Sequence, residues 1–212
     1  MRPRAVLFDF NGTLSDDEPV LQAIYAELFA QRGVELTPAA YLDRLAGLSD
    51  EEIFVRGLGG RPADLEGLVA ERIARYRRRV ADGSSIGAAV REAVRHAAAR
   101  VPLGIVSGAA REEIEPVVAA AGLRDAFAFV VGSEGVTAGK PDPEGYVRAL
   151  ERLALPADQV LVFEDTEAGV AAARAAGTRV VAVTRTLGPA RLGAADELCE
   201  AITPEVVRRL VP

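Results

Sequence analysis

Apolar positions along the chain fall into two patterns. Short continuous runs, often β-branched, occur at Ala5-Val6-Leu7-Phe8, Leu103-Gly104-Ile105-Val106, Phe129-Val130-Val131, Val160-Leu161-Val162-Phe163 and Val180-Val181-Ala182-Val183. Runs of this length without polar alternation predict strands buried on both faces, as in a parallel sheet. Between them lie amphipathic stretches, among them 112–121 and 166–176, each followed by a glycine, Gly122 and Gly177. Glycine in that place ends a helix, because it adopts the left-handed conformation that closes the last turn. The alternation predicts an α/β fold with a Rossmann-like, doubly wound parallel sheet.

One interval breaks the rhythm. Between Phe10 and Val101 no strand pattern occurs, and helices are predicted over 18–32, 38–46, 50–58 and 62–80. Thr37-Pro38 supplies an N-cap and first-turn proline for the second, and Ser49 with Glu52 has capping-box spacing for the third. A helix over 86–100 then returns the chain to the sheet. The division expected is a core of residues 1–15 and 82–212 and a helical cap of residues 16–81. An insert placed directly after the first strand lies above the strand's carboxyl end, where open α/β sheets bind ligands, and so is expected to act as a lid.

Composition narrows the function. The formal charge of -6 and the pI near 5.0 leave no basic field for nucleic acid or an anionic membrane surface. No apolar stretch approaches a membrane span. The single cysteine, Cys199, allows no internal disulfide, and no secretory leader pattern opens the sequence, so a cytoplasmic protein is expected, monomer or homodimer.

Polar residues gather just after the predicted strands: Asp9, Asn11 and Thr13 after the first, Ser107 and Gly108 after the second, Lys140 in the loop after the third, Glu164 and Asp165 after the fourth. Carboxylates, a hydroxyl and an ammonium converging on one crevice suit phosphoryl transfer. A carboxylate attacking a phosphate monoester meets anion repulsion, which a divalent cation and a fixed positive side chain must offset. Oxygen ligands without histidine or cysteine favour Mg²⁺.

Phe8-Asp9-Phe10-Asn11-Gly12-Thr13-Leu14 resembles motif I of the haloacid dehalogenase-like superfamily, usually Asp-x-Asp-Gly-Thr. Val106-Ser107-Gly108 resembles motif II, Gly139-Lys140-Pro141 motif III and Phe163-Glu164-Asp165-Thr166-x-x-Gly169 motif IV, in that order over nearly the whole chain. The helical insert is similar to the C1 cap of the phosphoglycolate phosphatase and β-phosphoglucomutase branch. The resemblance implies a Mg²⁺-dependent phosphatase acting on a small phosphorylated metabolite. Asp9 would be the nucleophile forming an aspartyl-phosphate; Thr13, Ser107, Gly108 and Lys140 would contact substrate. Asp9, the main-chain carbonyl of Asn11, Glu164 and Asp165 would surround the metal.

Asn11 departs from the pattern. Family phosphatases carry an aspartate there that protonates the leaving alkoxide and then activates water, and an amide cannot shuttle that proton. Losing a general acid-base removes about 10²- to 10⁴-fold in rate. One reading is a phosphatase for leaving groups needing little protonation; the alternative is a phosphate-ligand binder with negligible turnover. A phosphonatase needs a cap lysine, but Lys140 is the only lysine, and the family's dehalogenases lack the motif IV carboxylates present here. The mutase branch uses the missing aspartate and an arginine where Asp50 follows Gly47-Leu48-Ser49.

Other features have plainer readings. A P-loop requires glycine at Glu134 and serine or threonine at Pro141. The run Arg72, Arg75, Arg77, Arg78 and Arg79 reads as a solvated helix face paired with acids. His96 is expected to face solvent or a neighbouring chain, and Cys199 to be a small core residue. Tyr25, Tyr41, Arg56 and the arginine run itself are the candidates for the inner face of the cap.

Overall fold

A computed structural model describes residues 2–212. The five predicted strands form where the apolar runs lie: β1 (Ala5–Phe8), β2 (Leu103–Val106), β3 (Phe129–Val131), β4 (Val160–Glu164) and β5 (Arg179–Val183). A sixth, β6 (Glu197–Cys199), extends the sheet. All pairings are parallel, in the order β3-β2-β1-β4-β5-β6. The chain builds outward from β1 to one edge and then resumes at β4 on β1's other side. The β1–β4 junction is therefore the switch point, where α/β sheets open a crevice at their carboxyl ends.

Strand periodicity divides the core in two. Val6 and Phe8 of β1 join Ile105, Phe163 and Val181 on one face, whereas Ala5 and Leu7 join Val162, Val180 and Ala182 on the other. Phe8 stacks on Phe163 with ring centroids 5.2 Å apart, fixing β1 against β4 beneath the crevice.

Between β1 and β2 come α1 (Glu18–Ala30), α2 (Pro38–Arg44), α3 (Asp50–Gly57), α4 (Leu65–Arg79) and the returning α5 (Ala88–Ala98). Each is slightly shorter than its apolar pattern, because terminal turns fray into caps. Both predicted caps form: Thr37 Oγ1 accepts from Ala40 N at 3.2 Å, while Ser49 N donates to Glu52 Oε2 at 3.0 Å. The remaining helices are α6 (Arg111–Ala120), α7 (Glu144–Leu153), α8 (Glu167–Ala175) and α9 (Pro204–Leu210).

The arginine run needs one correction. Arg75 and Arg79 pair with Glu27, and Arg77 with Glu112, as a solvated face should. Arg72 is instead buried between α4 and α6, bonded to Glu113 and Asp50. Its spacing from Leu65, Leu68 and Tyr76 places it on the buried stripe of α4. His96 also departs from expectation: it is half-buried, 3.1 Å from the Val211 carbonyl oxygen. Cys199 is half-buried against the core, and burial pushes its thiol up to about 11. Among the described residues no helix is long and apolar enough to cross a membrane.

Candidate active site

The loop after β1 turns within a few residues. Thr13 N and Ser15 N both donate to the Phe10 carbonyl, at 3.3 and 2.9 Å. Gly12 takes φ +71°, and a Cβ there would land on the Asp165 carboxylate. Glycine is required twice over, by the left-handed turn and by the approach of the β4 loop.

Asp9 leaves the end of β1, 6% exposed. Lys140 Nζ donates to Asp9 Oδ1 at 2.6 Å, to the Val106 carbonyl at 3.2 Å and to Glu164 Oε1, engaging all three ammonium hydrogens. Glu164 is completely buried: Oε1 also accepts from Tyr146 OH at 3.0 Å, while Oε2 accepts from Asp165 N at 2.9 Å and from Thr166 N and Oγ1, both at 3.2 Å. A Cβ on Gly169 would collide with this carboxylate, so the motif IV glycine leaves room for it. Thr13, expected at the substrate, is 1% exposed and turns its hydroxyl to Asp165 Oδ1 at 3.0 Å.

Asp9, Glu164 and Asp165 offer carboxylate oxygens within 4.8 Å of one another. Asp165 Oδ2 is buried without a hydrogen-bond partner, and an orphaned buried carboxylate oxygen among oxygen donors fits a hard divalent cation. Both Glu164 oxygens are already engaged, which leaves Asp9 and Asp165 as the carboxylates with free acceptors. Burial raises Asp9 to about 7 against the opposing pull of Lys140, and raises Asp165 well above the usual carboxylate range.

Sequence reasoning missed the surroundings of Asn11. Its Nδ2 donates to Asp17 Oδ2 at 2.9 Å and to Tyr76 OH at 3.2 Å, and Tyr76 OH itself donates to Asp17. Asp17, fully buried and also accepting from Gly12 N at 3.1 Å, precedes α1, and burial raises its pKa. With its amide hydrogens directed at Asp17 and Tyr76, Asn11 keeps only Oδ1 for another partner. The acidic run after motif I was the available signal, but Asp17 there looks like an ordinary helix N-cap.

Asp9, Asn11, Ser107, Gly108, Lys140 and Asp165 line one cavity of about 670 Å³ between the sheet's carboxyl edge and the helical insert. Tyr25, Tyr41 and Arg72 line it from the insert side; Arg56 does not. Ser107 Oγ accepts from Ala109 N at 3.1 Å, tightening the loop after β2.

The haloacid dehalogenase-like hydrolase profile matches residues 6–183. This chain belongs to that family. It is 32% identical over 193 residues to the protein CbbY of Rhodobacter capsulatus, with 85% of each chain covered. It is 29% identical over 222 residues to the validoxylamine A 7'-phosphate phosphatase of Streptomyces hygroscopicus subsp. limoneus, covering 94% of each. The β-phosphoglucomutase structure from Clostridium difficile superposes with a TM-score of 0.84 at 18% identity, covering 99% of this chain and 97% of that one, a likeness of fold. Membership and relatives bear out the expected phosphoric monoester hydrolase.

Proposed function

We propose that the protein is a Mg²⁺-dependent phosphatase that hydrolyses a small phosphorylated metabolite through an aspartyl-phosphate on Asp9. The observation that carries this is the Lys140 ammonium held 2.6 Å from Asp9 Oδ1 at the floor of the cavity, beside the unpartnered Asp165 Oδ2. Asp9 attacks phosphorus with the oxygen not bound to Lys140, and the alkoxide or phenoxide leaves. Lys140 opposes the burial that favours protonated Asp9 and offsets phosphoryl charge. Glu164 acts behind it, orienting Lys140 together with Tyr146. Ser107 and the backbone around Gly108 bind phosphoryl oxygens, while Thr13 positions Asp165. Asp9, Asp165 and the Asn11 main-chain carbonyl would hold Mg²⁺, which supplies charge neutralisation for the transferring group. Residues 16–81 serve as the cap, closing the site from bulk water.

Asn11 Oδ1 can accept a hydrogen bond but carries no proton to give. The leaving group therefore departs without its own acid, and water attacks the aspartyl-phosphate without a strong base. Substrates with good leaving groups are therefore favoured and the second step is slow; in the limit of no turnover the protein is the phosphate-ligand binder. Purified protein with an aryl phosphate, with Mg²⁺ or chelator, and an Asp9→Asn control tests it. Metal-dependent phosphate release lost in Asp9→Asn is expected; release that survives Asp9→Asn would refute the assignment.

A further inference from the structure

The cavity has two chemically different ends. At the sheet end Lys140 faces Asp9 and Asp165. On the insert side the half-buried carboxylates are Glu18 and Asp50, and the cation is Arg72. Arg72 is already neutralised: Nη2 bonds Asp50, and both terminal nitrogens reach Glu113. Tyr25 OH donates to Asp50, and Tyr41 OH donates to Glu18 Oε2 at 3.1 Å, which leaves Glu18 Oε1 available. Two buried polar atoms of cavity-lining residues lack partners, Asp165 Oδ2 at one end and Arg72 Nε at the other. Among the described residues that line it, the cavity has two cations, Lys140 paired with Asp9 and Glu164 at the sheet end and Arg72 paired with Asp50 and Glu113 on the insert side, and no third for a second anion.

Resting on the phosphatase reading above, we propose that the substrate is a phosphate monoester whose far end is a polyhydroxylated group bearing an amine, selected by Glu18 and Asp50, and that bisphosphates and phosphorylated carboxylates are excluded. A second phosphate reaching the insert side would meet carboxylates in a partly enclosed space, without a counter-charge. An ammonium there gains a charge-assisted hydrogen bond to Glu18 Oε1. Hydroxyls satisfy the remaining acceptors. The volume of about 670 Å³ accommodates a ligand of sugar size.

The test is binding, by calorimetry, of four matched probes to Asp9→Asn protein with Mg²⁺: glucose 6-phosphate, glucosamine 6-phosphate, glucose 1,6-bisphosphate and 6-phosphogluconate. The amino sugar phosphate is expected to bind about tenfold more tightly than glucose 6-phosphate, and the two probes with an anionic far end about tenfold more weakly. Glu18→Gln in the same background should erase the amine advantage. Asp50→Asn, which removes one of the two carboxylates that neutralise Arg72, should narrow the bisphosphate penalty. Bisphosphate or phosphogluconate binding as tightly as glucose 6-phosphate, an amine advantage indifferent to Glu18→Gln, or no binding of any probe would overturn the inference. Aryl phosphate turnover by the parent protein is read separately, so its failure with the binding order intact would strike the phosphatase reading alone.

Discussion

Asn11 is held by Asp17 and Tyr76, and this changes what a repair at that position should do. Asn11→Asp alone sets a second carboxylate against buried Asp17 about where the 2.9 Å amide contact now lies, so one of the two must hold a proton. We expect Asn11→Asp by itself to raise kcat on an alkyl phosphate only a few-fold. The exchange Asn11→Asp with Asp17→Asn keeps one carboxylate and one amide, and should raise kcat by about 10²-fold, the lower end for a restored acid-base. Equal rates for the single and double variants would show that Asp17 does not constrain position 11. Lys140, Asp9 and Asp165 were legible in the sequence, because ordered motifs follow strand ends and the sheet brings strand ends together. Asp17 was not, because its identity as a helix-preceding aspartate says nothing of which way its side chain turns.

At the scale of elements, the helical insert is fastened to the sheet domain by a buried ion pair. Arg72 of α4 reaches Glu113 of α6, and each is no more than 5% exposed. Such a pair contributes less than its Coulomb attraction suggests, since both charges are desolvated, but removing one partner leaves the other stranded. Arg72→Met is expected to lower unfolding free energy by roughly 3–5 kcal/mol in urea titrations, and adding Glu113→Leu to recover most of it. No recovery in the double variant would mean that Arg72 acts through packing or through its second partner Asp50 and not through Glu113. Strands β1 to β5 and the caps at Thr37 and Ser49 follow directly from apolar runs and capping chemistry. Strand β6 escaped because three edge residues, Glu197-Leu198-Cys199, carry no buried apolar run. The buried place of Arg72 was legible from its spacing on the Leu65, Leu68 and Tyr76 stripe, although the neighbouring arginines masked it.

For the whole molecule, burial of acids at the site ties stability to pH and metal. Asp9 has a folded pKa of about 7, well above its value in an unfolded chain. The folded state therefore binds more protons than the unfolded one between about pH 4 and 7, so this group's contribution to stability falls as pH rises through that window. Metal-free protein should lose Tm as pH rises from about 5 to about 8, Mg²⁺ should restore more of it at the higher pH, and Asp9→Asn should flatten the slope. An unchanged slope in Asp9→Asn would place the effect elsewhere. The most direct test of the account is acid quenching of the parent protein during turnover of an aryl phosphate with Mg²⁺, followed by peptide mapping. Because Asn11 supplies no base for the second step, one phosphoryl group is expected to accumulate on the peptide containing Asp9 and to be absent without metal. Phosphate release with no phosphorylated Asp9 peptide at any quench time would contradict a covalent mechanism at this residue.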